Sequence, residues 1–456
     1  MVVRLEEIGR AVRETEYAVR GPIVARAREL ELAGREVIYC NIGNPQALGQ
    51  RPLTWIRQVL ALVEYPALAD RGEICSFPSD VIETARLIAR ESHHGLGAYT
   101  ESKGMRFVRR AVADFIEERD GITADPEAIY LTDGASKGVQ TILRILISGE
   151  RDGVMIPIPQ YPLYSATITL LGGRQVPYYL NEESGWMLTR ALLENSYQTA
   201  RANGINVRGL CVINPGNPTG AVLDEKNLEM VIDFAQEREL SLLADEVYQE
   251  NIYHPGHEFH SFAKILERMK AGVVSLFSFH SCSKGLLGEC GHRGGYFECR
   301  NVPRNVLGEI TKLQSVALCA NSVGQVLTYL MVHPPKPGTP SYELYAKERG
   351  SILDSLRLRA SLLADGLNGI TGISCQRIAG AMYAFPKITL PPGCTDSEYC
   401  LRLLEQTGIC VVPGTGFGQE SGTFHFRTTI LPPKDKIEYI VKQIANFHMH
   451  LLNGGD

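Results

Sequence analysis

From about residue 90 to residue 325 the chain alternates short apolar runs with longer segments in which apolar residues recur every three or four positions. The short runs, at 128–131, 153–158, 175–179, 209–213, 241–244, 273–279 and 295–298, have the length of strands. The segments 106–118, 138–146, 224–237 and 261–269 have helical periodicity. Strands separated by helices of this length are joined by crossovers, which set neighbouring strands parallel and cover both sheet faces. The pattern predicts an α/β fold built on one large, mostly parallel, seven-stranded sheet.

A chain of 456 residues, 44% of them hydrophobic, can bury more than one core and suggests two or three domains. The tract VHPPKPGTP at 332–340 marks a boundary or a surface crossing. Beyond it, a long helix at 342–367, strand-like runs at 382–388 and 424–430 and a helix at 434–452 read as a smaller α+β domain. The expected division is a helical arm (1–40), a first part of a split small domain (41–90), the large domain (91–335) and the second part of the small domain (336–456). The formal charge of −5 comes from interspersed acids and bases, which argues against a nucleic-acid partner or an anionic membrane surface. No run approaches the ~20 apolar residues needed to span a bilayer. Eleven cysteines without a CxxC pair, set in apolar runs, read as reduced intracellular thiols, Cys282 and Cys290 included. The first thirty residues carry six arginines but also Glu6, Glu7, Glu14, Glu16 and Glu29, unlike an acid-poor transit peptide, so the expected address is cytoplasmic.

Ligands of an open parallel sheet sit beyond the carboxyl ends of its strands, so the residues that follow each run belong together. After the first comes TDGASKG, where Ala135 and Ser136 open a helix and could bind phosphate; an ordinary N-cap by Thr132, Asp133 or Ser136 is the competing reading. Tyr161 follows the second run, able to stack on a flat heterocycle or simply to fill core. Asn217 lies in the rigid turn NPGNPTG, where its amide could donate to a phenolate oxygen. Asp245 ends the run 240–244, and a carboxylate there is costly to desolvate unless it meets a cation such as a protonated pyridine nitrogen, a helix N-cap being the competing reading; Tyr248 stands three residues on. Lys284 closes the run before GLLGECGHRGGY, a position from which an amine can form a Schiff base with an aldehyde cofactor such as pyridoxal phosphate. Arg293, among Gly291, Gly294 and Gly295, could grip a phosphate from the same side. His254, His257 and His260 recur every third residue, but Pro255 and Gly256 break any common helix face, so a loop is expected there and no metal.

Taken together, these strand ends resemble the class I and II aminotransferases of pyridoxal phosphate fold type I, over nearly the whole chain. The resemblance is carried by NIGNPQALGQRPLTWIRQVLAL (41–62), VMIPIPQYPLYSA (154–166), INPGNPTG (213–220), LLADEVYQENIY (242–253), SFHSCSKGLLGECGHRGGY (278–296), GAMYAFP (380–386) and GICVVPGTGFGQ (408–419), and looks closest to the alanine-specific branch. It implies that Lys284 carries the cofactor and shuttles the proton, that Asp245 pairs with the pyridine nitrogen, and that Asn217 and Tyr248 hold the ring oxygen beneath a stacked Tyr161. It further implies that Ala135, Ser136, Ser281 and Arg293 bind the phosphate, and that Tyr99 reaches it from a neighbouring subunit, hence a homodimer. Arg427 would clamp the substrate α-carboxylate and Gly43 close over the substrate. The implied reaction is amino transfer between L-alanine and 2-oxoglutarate, giving pyruvate and L-glutamate. Alternatives on the same residues are a glutamate:glyoxylate aminotransferase or a lyase of the 1-aminocyclopropane-1-carboxylate synthase type. A non-catalytic cofactor-binding regulator would call for a basic helix-turn-helix extension, which the chain lacks. Arg293 lies nine residues after Lys284, the alanine-type register, whereas Ala320-Asn321-Ser322 departs from the proline-containing run of that branch.

Overall fold

The computed structural model describes residues 3–17, 19, 21–68 and 76–454; Cys75, one of the cysteines read as thiols, lies outside the described residues. After a short strand β1 (Ile38–Tyr39), the chain forms β2 (Ile129–Thr132), β3 (Asp152–Ile158), β4 (Arg174–Tyr179), β5 (Asn206–Ile213), β6 (Ser241–Asp245), β7 (Leu276–Ser281) and β8 (Gly295–Arg300). These last seven make one sheet in the order β2-β8-β7-β6-β5-β3-β4. β3 is buried along nearly its whole length, as a strand covered on both faces must be, whereas the edge strand β4 alternates between exposed and buried residues.

β3, β4, β5, β6 and β7 pair in parallel, while β8 runs antiparallel to both β2 and β7. The reversal matters for chemistry. Thr132 of β2 and Ser281 of β7 both pair with Gly295, so the start of β8 lies at the edge where the other strands end. Residues just before β8, Arg293 among them, therefore join residues just after β2, β6 and β7. The helix expected from 138 begins three residues earlier, at Ala135 (Ala135–Leu146), and this puts Ala135 and Ser136 in its first turn.

The smaller unit contains β9 (Ile373–Ser374), β10 (Tyr383–Ala384), β11 (Lys387–Ile388), β12 (Ile409–Cys410), β13 (Val412–Pro413) and β14 (Phe426–Thr429). β14 is the centre of the antiparallel sheet β10-β14-β13, and β1 pairs in parallel with β12. The single run expected at 382–388 is two short strands, divided at Phe385-Pro386, where proline offers no N–H to a ladder. Helices Tyr342–Asn368 and Lys434–Leu452 pack on this unit, and their core, with Leu363, Leu367, Ile440 and Ile444, extends to Val247 and Tyr248 of the large sheet's loops.

β1, within the expected arm, joins the smaller unit. In the segment 41–90, helices Thr54–Glu64 and Ser79–Glu91 bury Trp55, Ile56, Val59, Val81 and Ile88 in a core shared with Val108, Val112, Ile116, Val326 and Leu330 of the large unit. The physical reason is that an amphipathic stripe specifies an apolar partner without saying which one. Ile88, fully buried there, is the test: Ile88→Ala should cost about 2–4 kcal/mol and lower Tm. Hydrogen exchange should accelerate in Arg106–Asp120 and Ser322–Val332 and stay unchanged in Lys434–Leu452. Faster exchange in the last helix instead would place the segment with the smaller unit.

Candidate active site

A cavity of about 500 Å³ opens where the strands of the large sheet end and the smaller unit approaches. Ala135, Ser136, Tyr161, Asn217, Asp245, Tyr248, Ser281, Lys284, Arg293, Arg427 and Gly43 all line it. Its wall carries three cations, Lys284, Arg293 and Arg427, against one carboxylate, Asp245, which suits a ligand with several negative groups.

Lys284 lies three residues beyond β7, and its Nζ donates to the Gly43 carbonyl at 2.7 Å. Gly43 has to be glycine, because a Cβ there would lie 2.1 Å from the Tyr383 hydroxyl and 3.1 Å from Lys284 Nζ. Asp245, last residue of β6, is buried; the Tyr164 hydroxyl donates to its Oδ2 at 2.8 Å, while its Oδ1 has no partner. Burial raises its pKa from the ordinary 3.8 to about 6, against the opposing hydrogen bonds and the nearby Lys284. No helix follows Asp245, so it is not an N-cap.

At the end of β2 neither Thr132 nor Asp133 caps the next helix: the Thr132 hydroxyl donates to the Gly134 carbonyl, and Asp133 Oδ1 accepts from the Asn321 backbone. The cap position is Gly134, with φ near +80° and no side-chain cap, so the helix N-terminus faces the cavity unblocked. Arg293 arches over it, Nη2 donating to the Asp133 carbonyl and Nη1 to the Cys290 carbonyl, each at 2.9 Å. A Cβ on Gly134 would come within 2.4 Å of Arg293 Nη2.

Arg427, on β14, is buried between the rings of Tyr383 and Phe417, 4.2 and 4.5 Å from its guanidinium. Its Nη2 donates to the Asn41 carbonyl and its Nη1 to Asn217 Oδ1 at 3.2 Å, while Nε has no partner. The bond from Arg427 fixes the Asn217 amide with its oxygen toward the arginine, leaving the NH₂ as the available donor. The rings of Tyr248 and Tyr383 meet edge to face, their centroids 6.2 Å apart. Burial pushes Tyr248 well above the usual tyrosine range; for Tyr383 burial also pushes upward, but Lys284 and Arg427 outweigh it and the net shift is downward.

Several contributors were not signalled by the sequence, Tyr383, Tyr17 and Val19 among them. Tyr383 sits in the quoted GAMYAFP, where it looks like core. Tyr17 and Val19, from the arm, also line the cavity, and the Tyr17 and Tyr161 hydroxyls are 2.6 Å apart. Nothing local in ETEYAV signals that contact, which spans 144 positions. Tyr99 is not on the cavity wall: it is 81% exposed and lines a separate surface cavity with His93, His94 and Arg106. Cys290 lines the active cavity, and its thiol donates to the Ser283 carbonyl at 2.9 Å. Cys282 is buried, with a pKa pushed up to about 12 by burial, as befits an inert thiol. His254 and His257 contact each other in a loop, and His260 faces Glu225.

The sequence profile described as Aminotransferase class I and II matches residues 70–444. A probable mitochondrial alanine aminotransferase of Dictyostelium discoideum is 50% identical, covering 98% of this chain and 89% of its own length. Alanine aminotransferase 1 of Homo sapiens is 48% identical (98% and 95%), and glutamate–glyoxylate aminotransferase 1 of Arabidopsis thaliana 49% identical (96% and 94%). Among solved structures, the alanine aminotransferase of Pyrococcus furiosus superposes with a TM-score of 0.77 at 26% identity, covering 97% of this chain and 99% of that one. The chain therefore belongs to the class I and II aminotransferases, pyridoxal phosphate-dependent enzymes of fold type I.

Proposed function

We propose that the protein transfers the amino group of L-alanine to 2-oxoglutarate, giving pyruvate and L-glutamate. The observation that carries this reading is the partnerless, buried Oδ1 of Asp245 in one cavity with Lys284 and Arg427. The donor set fits pyridoxal phosphate group by group. Asp245 would hold the pyridine nitrogen, whose N–H supplies the partner that Oδ1 lacks. The uncapped helix at Ala135 and Ser136, with Ser281 and Arg293, would hold the phosphate. The free NH₂ of Asn217 and the Tyr248 hydroxyl would hold the ring oxygen, with Tyr161 against the ring. When bound, the cofactor supplies an aldehyde that takes up the amino group and an electron-poor ring that stabilises charge at the substrate Cα.

The chain's own groups do the rest. Arg427, immobilised between two rings, offers its guanidinium to the α-carboxylate and so orients the Cα–H bond. Lys284 Nζ takes the Cα proton of alanine in one half-reaction and delivers a proton to the Cα of glutamate in the other. Tyr383, held below its ordinary pKa by Lys284 and Arg427, shares the cavity wall with that amine. Relatives named for alanine support alanine as donor, and a relative named for glutamate and glyoxylate is equally similar.

A homodimer and a cytoplasmic address also belong to this proposal. The exposed Tyr99 supports the dimer, since its ring is free to enter the phosphate site of a second copy. The ten described cysteines are free thiols, which supports a reducing compartment. Some relatives are named as mitochondrial, and among the described residues no helix is long and apolar enough to cross a membrane. Cell fractionation separates the two addresses.

Lys284→Ala should lower turnover of alanine with 2-oxoglutarate by about 10³-fold or more and abolish solvent-deuterium exchange at alanine Cα. Exchange at the wild-type rate would remove Lys284 from the proton path. Arg427→Ala should lower kcat/KM for alanine by about 10²-fold with the cofactor retained; loss of cofactor instead would contradict a carboxylate role. Asp245 allows a test without turnover. A carboxyl whose folded pKa is raised to about 6 contributes stability that is full below about pH 4 and lost as pH rises through 6. In cofactor-free protein Asp245→Asn should therefore gain roughly 1–3 kcal/mol at pH 8 and little at pH 4, while pyridoxal phosphate retention falls. Equal Tm gains at both pH values would contradict a buried, unmet carboxylate.

A further inference from the structure

We propose that Tyr17 is the specificity-determining wall of the substrate site, excluding amino donors with large apolar side chains. The inference rests on the transaminase reading above. Tyr17 lines two spaces at once: the active cavity and a neighbouring groove of about 910 Å³. The groove runs between the arm and the smaller unit, its apolar wall made by Ile23, Val24, Leu401, Val411, Val412 and Pro413. Its rim carries the Arg26–Glu405 ion pair at 2.9 Å, which ties the arm helix Pro22–Leu32 to the helix Asp396–Thr407.

The ring that separates the two spaces is held from both sides. Its hydroxyl meets that of Tyr161 at 2.6 Å, with the rings edge-on at 6.2 Å. Two residues on, Val19 is buried among Trp186, Phe385, Val412 and Phe417, the last being one of the two rings that flank Arg427. The partition is thus anchored to the carboxylate clamp. With the α-carboxylate at Arg427 and Cα within reach of Lys284, the substrate side chain must extend toward wall that neither cofactor nor carboxylate occupies, and Tyr17 is the ring on that wall that also borders the groove. Alanine stops short of it. Glutamate ends in a carboxylate to which a phenolic hydroxyl can donate, whereas a leucine or phenylalanine side chain meets the ring with nothing to offer it. Without the ring, the cavity and the groove become continuous, and an apolar side chain gains a large apolar surface to bury.

The test compares wild-type holoenzyme with Tyr17→Ala, Tyr17→Ser and Tyr17→Phe, using L-alanine, L-leucine and L-phenylalanine with one 2-oxo acid. Cofactor absorbance and Tm establish that each variant is loaded and folded. The leucine-to-alanine ratio of kcat/KM should rise about tenfold or more in both small-residue variants and stay within about twofold of wild type in Tyr17→Phe, which keeps the ring. Calorimetric binding of leucine to the same proteins should follow the same order, so the wall can be judged even if the reaction proves to be another. Unchanged ratios and affinities in Tyr17→Ala and Tyr17→Ser would overturn the proposal. An equal rise in Tyr17→Phe would overturn it too, since the hydroxyl and not the ring would then be the determinant. A wild type that transaminates neither alanine nor glutamate would overturn the proposed reaction and leave the binding result to decide the wall.

Discussion

The carboxyl group of Asp245 is buried, with Tyr164 as its side-chain partner and one oxygen unmet. A protein selected for stability alone would have little reason to keep it, because desolvating an acid costs more than one neutral hydrogen bond returns. The fold nevertheless holds it at the end of the central strand β6, flanked by β5 and β7, whose own ends deliver Asn217 and Lys284. An unsatisfied acid in a cavity whose other charged residues are cations supports the proposed pairing with a cationic ring nitrogen.

Sheet topology builds the end of the cavity proposed to hold the phosphate. A wholly parallel sheet would put the start of β8 at the opposite edge from the end of β7. Because β8 is reversed between β2 and β7, Arg293 instead meets the helix N-terminus that follows β2, and Gly134 leaves room for the guanidinium. The substrate end depends on the smaller unit. Arg427 reaches across from β14 to Asn217 of the large domain and to the Asn41 carbonyl, so the proposed α-carboxylate clamp is complete only where the two units meet.

Much of this was legible in the sequence because the chemistry interrupts a pattern. Asp245, Asn217 and Lys284 are polar residues at the ends of apolar runs, and an apolar run that stops at a charge at a sheet edge has few structural explanations. Tyr383 was not legible, since a tyrosine inside an apolar segment reads as core and only the three-dimensional neighbours Lys284 and Arg427 make it otherwise. Tyr17 was not legible because the contact that defines it is with a residue far along the chain. The packing of the helices Thr54–Glu64 and Ser79–Glu91 was missed for a related reason: periodicity reveals an apolar face, and the identity of the partner face is a tertiary fact. Tyr99 was legible only through resemblance, and its exposed ring gains a role only beside a second copy.

The central claim is that this cavity moves an amino group intact from one small acid to another. The most direct measurement supplies ¹⁵N-labelled L-alanine and unlabelled 2-oxoglutarate to the holoenzyme and follows the label by mass spectrometry. The account predicts ¹⁵N-glutamate and pyruvate in equal amounts, with no labelled ammonium; pyruvate accompanied by labelled ammonium, or label that stays on alanine, would contradict it.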